Sequence, residues 1–192
     1  MHTPDIDMAV IKSVLQGKQS DYAILVNKYQ RYVFTVVLRY VNKREVAEEL
    51  SQDIFVKAYR NLLNFKGESK FSTWLYTIVH TSCLSYLRKK SDSTILLEEE
   101  TLIFVQDKKT QQPSVTDKIE VVDKASAINS AINLLPPSEA QIVTLFYLAE
   151  QSVNEIAEIT GISVANVKVK LFRSRTKLRE IIEQHFKQEL ID

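Results

Sequence analysis

The chain has 192 residues, a single cysteine and a formal net charge of +1, with 45% hydrophobic and 26% charged residues. This length holds one or two small domains, each with its own core. No apolar run approaches the ~20 residues that span a bilayer, and the lone Cys83 excludes an internal disulfide. The first residues, MHTPDIDMAV, lack the basic and then apolar pattern of an export signal. The expected location is therefore cytoplasmic, where a reducing environment suits a free thiol.

The small net charge hides an asymmetry. Residues 1–90 hold 14 Lys and Arg against 8 Asp and Glu, residues 91–120 hold 3 against 7, and residues 121–192 hold 8 against 9. A basic first half and an acidic middle argue for an anionic partner that the overall charge would not suggest. Punctuation is sparse: the glycines are Gly17, Gly67 and Gly161, and the prolines Pro4, Pro113, Pro136 and Pro137. Between them the apolar periodicity predicts helices over about 5–16, 20–40, 43–62, 69–90, 118–134, 138–149, 152–160 and 163–186, with no strand. The expected fold is all-α: a first helical domain over 1–91, an acidic linker over 92–117, and a second helical domain over 118–192. Short apolar patches at 95–97 and 102–105 interrupt the linker, and Cys83 falls in an apolar helix pattern that reads as core.

In the third predicted helix Val46, Leu50, Ile54 and Ala58 make an i, i+4 stripe that should be buried. Glu49, Gln52 and Asp53 form a second, outward stripe, an acidic and amide patch that a protein partner could read. The next segment, NLLNFKGESK over 61–70, mixes Phe65, Gly67 and Ser69 with Lys66 and Lys70, and Phe71 and Trp74 follow. Aromatics among cations beside a glycine turn suit unstacked bases of a single strand. The helical spacing of Trp74, Leu75 and Ile78 instead reads as core.

Near the end, a short helix closes at Gly161 and another starts behind Ser163, with Ala157 and Val167 placed for close approach. The last helix carries Lys168, Lys170, Arg173, Arg175, Lys177 and Arg179 without an acid among them. At ~100° per residue Val164, Val167, Leu171 and Leu178 share the expected buried face. Asn166, Val169, Phe172, Arg173 and Thr176 point away from it. Lys168 and Arg175 occupy one flank, Lys170 and Lys177 the other. This is the layout of a helix–turn–helix reading base edges in the middle and phosphates at its sides, and an outward valine or phenylalanine suits a thymine methyl.

The stretch EVAEELSQDIFVKAYRNLLNFKGESKFSTWLYTIVHTSCLSYLRKK resembles region 2 of the extracytoplasmic-function (ECF) sigma factors of bacterial RNA polymerase. LLPPSEAQIVTLFYLAEQSVNEIAEITGISVANVKVKLFRSRTKLRE is similar to their region 4, and the order, spacing and acidic linker also match. The resemblance implies a promoter-recognition factor that partners core RNA polymerase, through its β′ and β subunits, and promoter DNA. It implies a polymerase contact at Glu49, Gln52 and Asp53. It implies contacts to a melted −10 element at Asn64, Phe65, Lys66, Ser69, Lys70, Phe71 and Thr81. Contacts to a −35 element are implied at Ser163, Asn166, Lys168, Val169, Lys170, Phe172, Arg173, Arg175 and Lys177. The linker, with its run Glu98, Glu99 and Glu100, falls where the family threads the polymerase channels. Members are often held by an anti-sigma factor, a further partner that no residue here displays.

Two positions depart from the family. Thr81 stands where an asparagine is frequent, and one hydroxyl cannot make an amide's paired contacts. Val169 stands where a polar residue is common and trades a hydrogen bond for methyl contact. A polymerase-independent helix–turn–helix regulator is the alternative function, and it leaves the first half unexplained. No enzyme, cofactor, small-molecule substrate or metal is expected. His2, His80 and His185 are scattered, and neither a glycine-rich phosphate loop nor a metal-ligand spacing occurs.

Overall fold

The structure is a computed structural model that describes residues 6–95 and 124–185. The expected linker from residue 96 onward, with its acidic run, and positions 5, 118–123 and 186 of the predicted helices lie outside the described residues. All described elements are helical: α1 (Ile6–Leu15), α2 (Tyr22–Val41), α3 (Arg44–Arg60), α4 (Phe71–Ile95), α5 (Lys124–Asn133), α6 (Pro137–Val143), α7 (Val153–Thr160) and α8 (Val164–His185). A π-helical segment, Thr144–Leu148, continues α6. Single 3₁₀ turns precede α2 and follow α3. Helix α4 runs five residues beyond its expected end at residue 90, since no glycine or proline stands in its way.

Local chemistry explains the boundaries. Helix α2 ends because Asn42 adopts φ 53°, a left-handed conformation asparagine tolerates, and returns its N–H to the Leu38 carbonyl. Pro137 opens α6, where its missing N–H costs nothing. Helix α7 begins with a capping box. The Ser152 hydroxyl accepts from the Glu155 N–H, and the Glu155 carboxylate accepts from the Ser152 N–H. Gly161, at φ 72°, closes it.

Helices α1 to α4 form the first bundle. Its interior holds Val33, Val36 and Val37 of α2, Ala47, Ile54 and Ala58 of α3, and Leu75, Val79 and Cys83 of α4. The buried face of α3 is rotated from the expected stripe. Ile54 and Ala58 are buried, but Val46 and Leu50 are only half-buried, and Ala47, Ser51 and Phe55 take the inner positions. The small side chains at 47 and 51 allow close helix packing, and the Ser51 hydroxyl donates to the Ala47 carbonyl. Helix α1 is held by a buried carboxylate: Asp7 accepts from Lys28 at 2.6 Å and from the Tyr29 hydroxyl at 2.5 Å. Burial pushes the Cys83 thiol up to about 12.

The second half packs against the first. Helix α7 packs on α4, and α6 on α2. Ile142, Leu145, Ile156, Ile159, Val167 and Leu171 join the same apolar cluster as the interior of the first bundle. A smaller cluster of Ile132, Leu135, Ala140 and Val143, with Leu178 and Ile181 against it, serves the second half alone. Polar groups also cross the junction. Buried Gln151 accepts from the Thr73 hydroxyl at 3.2 Å and donates to Ser72 at 3.4 Å. Arg39 donates to Asn129 at 3.1 Å. Gln141 donates to the Tyr40 hydroxyl, which lies 2.5 Å from His80 Nδ1.

Candidate nucleic-acid interface

The turn between α7 and α8 has the expected form. The Ser163 hydroxyl caps α8 by accepting from the Asn166 N–H, and Val167 and Leu171 are buried beneath it. Val164, expected on the buried face, is 36% exposed. It stands in the first turn of α8, beyond the neighbours that cover Val167. The buried hydroxyl of Ser174 takes an inner position instead and donates to the Lys170 carbonyl.

On the outer face Asn166, Lys168, Val169, Phe172 and Arg173 are all exposed, with Phe172 71% exposed. An isolated phenylalanine that open on a helix otherwise rich in cations is an available apolar contact. Lys168 and Arg173 form no hydrogen bond or ion pair among the described residues. The other flanking cations are engaged within the fold. Lys170 donates to Ser138 at 3.2 Å, and Lys177 pairs with Glu139 at 3.0 Å. Arg175 Nε donates to the Tyr147 hydroxyl at 2.6 Å. Sequence periodicity put these side chains on the right flanks. It gave no sign of their partners, which lie 28 to 38 positions away.

The segment between α3 and α4 rests on an aromatic floor. Phe65 and Phe71 meet edge to face at 5.7 Å between centroids, and Trp74 lies 5.3 Å from Phe65 and 5.6 Å from Phe71. Phe71 is 1% exposed, so its ring supports the loop from within and reaches no ligand in this arrangement. Asn64, Lys66 and Lys70 are exposed, and Ser69 is half-buried. Gly67 takes φ 74°, and a Cβ there would press to 3.3 Å from the Met8 side chain of α1. The Thr81 hydroxyl, on the exposed side of α4, donates to the Thr77 carbonyl at 2.9 Å.

Lys70 also crosses the junction. Its ammonium pairs with Glu155 at 2.9 Å. Burial pushes the Glu155 carboxyl up, but the Ser152 N–H and Lys70 together outweigh it and hold the group below its usual value. One carboxylate thus caps α7 and tethers the loop of the first bundle. Nothing in the local sequence signalled this second duty.

Glu49, Gln52 and Asp53 are all exposed on α3, with no hydrogen bond or ion pair among the described residues. Gln52 lines a shallow groove between α2 and α3 with Val26, Arg31, Phe34, Glu48 and Phe55. Asp53 instead faces a groove between α3 and α4, with Lys57 and Tyr86. The stripe therefore crowns a ridge between two grooves, and Glu48 belongs to the same polar rim, which the i, i+3, i+4 pattern had missed.

Among the described residues no helix is long and apolar enough to cross a membrane, and no group of three His, Cys, Asp or Glu side chains is placed to hold a metal ion. The Sigma-70 region 2 family profile matches residues 25–92 and the Sigma-70 region 4 profile residues 125–178. The chain is 31% identical over 175 residues to the ECF RNA polymerase sigma-E factor of Escherichia coli K12, covering 88% of this chain and 90% of that one. It is 30% identical over 174 residues to the sigma factor SigW of Bacillus subtilis, covering 88% and 93%. Among solved structures, the Bartonella quintana sigma factor RpoE, in complex with the anti-sigma factor NepR, shares the fold. Its TM-score is 0.65 at 21% identity, covering 85% of this chain and 97% of that one. A basic helix–turn–helix and a helical bundle with a cation-rich aromatic loop thus stand in the order of Sigma-70 regions 4 and 2 read backward from the C-terminus. The chain belongs to the ECF RNA polymerase sigma factors, the promoter-directing initiation factors of the sigma-70 family.

Proposed function

We propose that the protein divides promoter recognition between its halves. Residues 1–91 form a unit that docks core RNA polymerase and holds the melted −10 element, and residues 118–192 form a unit that reads the −35 element. Residues 92–117 connect them along polymerase. The ridge of Glu49, Gln52 and Asp53 is the polymerase contact: three exposed polar side chains without partners among the described residues. Asn64, Lys66, Ser69 and Lys70 face the single strand beside the rings of Phe65 and Phe71, and Thr81 meets it further along α4. Ser163, Asn166, Lys168, Val169, Phe172 and Arg173 enter the major groove with Arg175 beside them, while Lys170 and Lys177 lie on the flank that packs on α6. The protein acts by binding and carries no catalytic group. An anti-sigma factor is the further partner that the family adds.

The observation that carries this reading is the outer face of α8, which presents Lys168 and Arg173, without partners among the described residues, next to exposed apolar side chains on a capped helix–turn–helix. Using Lys70 on DNA requires its ion pair with Glu155 to break, which removes one of the polar contacts between the halves. Tethering both units to polymerase supplies the effective concentration that lets weak individual contacts suffice. Runoff transcription with core RNA polymerase over a randomised promoter library tests the proposal. The wild-type protein should enrich two separated elements, and Arg173→Ala should relax preference at one or two base pairs of the upstream one, a loss of about 1–3 kcal/mol in discrimination. Unselective transcription, or binding to duplex DNA equally well without polymerase, would favour the polymerase-independent regulator.

A further inference from the structure

We infer that Arg175 is a preorganised phosphate grip, that Tyr147 and Phe146 are the positioning residues that make it one, and that α8 is therefore held to the DNA backbone along one flank only. The inference rests on the reading that α8 enters a promoter groove and goes beyond it by deciding which side of the helix carries the load.

The two flanks differ in what their cations already do. On one, Lys170 donates to Ser138 and Lys177 pairs with Glu139, both on α6. The Glu139 side chain is only 12% exposed, and its second oxygen is buried without a partner. Lys177 is thus the counter-charge of a largely buried carboxylate, and swinging it onto a phosphate would leave that carboxylate alone. This flank is committed to holding α8 on α6.

The opposite flank is open. Arg175 and Arg179 each fall within ~20° of Lys168 on the helical wheel, one on either side of it. All three are exposed, and Lys168 and Arg179 have no partner among the described residues. Arg175 alone is fixed. Its guanidinium carbon lies 5.8 Å from the Phe146 ring centre and 5.7 Å from that of Tyr147, and these two rings meet edge to face at 4.9 Å. Stacking and the Nε bond to the Tyr147 hydroxyl use the face and one edge of the group. Both terminal nitrogens are left, the pair whose spacing matches two phosphate oxygens. A guanidinium already immobilised loses less freedom on binding than a mobile lysine. The rings belong to the π-helical segment Thr144–Leu148, a kind of irregularity that gathers at functional positions.

The test uses the full-length protein bound to core RNA polymerase. The probe is duplex promoter DNA enriched by the wild-type holoenzyme from a randomised pool, titrated at several salt concentrations. Arg175→Ala should weaken binding about tenfold and flatten the dependence of log Kd on log salt by about one unit. Tyr147→Phe keeps the ring and the charge. It should weaken binding severalfold at an unchanged salt slope, and it should add nothing in the Arg175→Ala background. Arg175→Lys should keep the slope without recovering the affinity, and Lys177→Ala should leave the slope alone. An equal loss from Tyr147→Phe in both backgrounds would show a fold brace and overturn the positioning role. A flattening by Lys177→Ala as large as that by Arg175→Ala would overturn the one-sided grip. Failure of the wild-type holoenzyme to enrich any sequence would sink the promoter reading itself, before any variant is compared.

Discussion

Nδ1 of His80 accepts a hydrogen bond only while the ring is neutral. The chain in which Gln141 donates to Tyr40, and Tyr40 in turn to His80, uses that neutral tautomer. Burial lowers the His80 pKa below its ordinary value. The groups around it do not titrate with it: burial pushes Tyr40 on α2 and Cys83 on α4 far up, and Gln141 on α6 is neutral. Since the packed state binds fewer protons here than the unfolded one, the stabilisation is present above about pH 6.5 and is lost as pH falls through that value towards the depressed folded one. The melting temperature should fall between about pH 7 and 5.5, and His80→Gln should flatten the profile over that interval while the lower carboxylate range is unaffected. An unchanged profile in the variant would remove His80 from the account. None of this was legible in the sequence. His80 is one of three scattered histidines, and its partners lie 40 and 61 positions away, beyond any local pattern.

Helices were the most legible level, because glycine, proline and capping residues mark their ends while apolar spacing marks their bodies. Ser152, Glu155, Gly161 and Ser163 bound α7 and open α8 as their chemistry requires. Faces were read less well than boundaries. The stripe expected inside α3 was displaced because helices on two sides select Ala47 and Ser51, small residues that a pattern of large apolar side chains overlooks. The outward stripe of α3 does not depend on that error, as Glu49, Gln52 and Asp53 are exposed in either register. Glu49→Lys combined with Asp53→Lys should leave helicity and melting temperature nearly unchanged, since surface substitutions of this kind usually move stability by less than about 0.5 kcal/mol. Affinity for core RNA polymerase, measured by competition against a labelled wild-type protein, should drop at least tenfold if the ridge is the docking site, by loss and reversal of two charges. Normal competition by the double variant would move the docking site elsewhere.

Two helical units follow from the sequence, yet their union does not, because the residues that join them look unremarkable in one dimension. Thr73 reads as a polar position in a helix and Gln151 as part of a short connection, while in space they bond across a shared core. Thr73 is 0% exposed, so Thr73→Arg places a charge where no water or counter-ion can reach it. This variant should push the halves apart without unfolding the first bundle. Small-angle scattering should show a larger radius of gyration, and circular dichroism should show retained helix. Because breaking the junction also frees Lys70 from Glu155, affinity of the polymerase-bound variant for melted −10 DNA should be maintained or increased. An unchanged radius would mean that the junction absorbs the charge and is no hinge.

The buried Cys83 gives the molecule a built-in clock. A thiol that is 0% exposed and held protonated reacts with an alkylating reagent only during the moments when the packing around it opens. As the chain's single cysteine, it reports one site without engineering. Its labelling rate, divided by that of the same thiol in the denatured chain, measures how often the neighbourhood of Tyr40 and His80 breathes. The same quotient taken with polymerase bound would show in real time whether assembly loosens that neighbourhood or seals it.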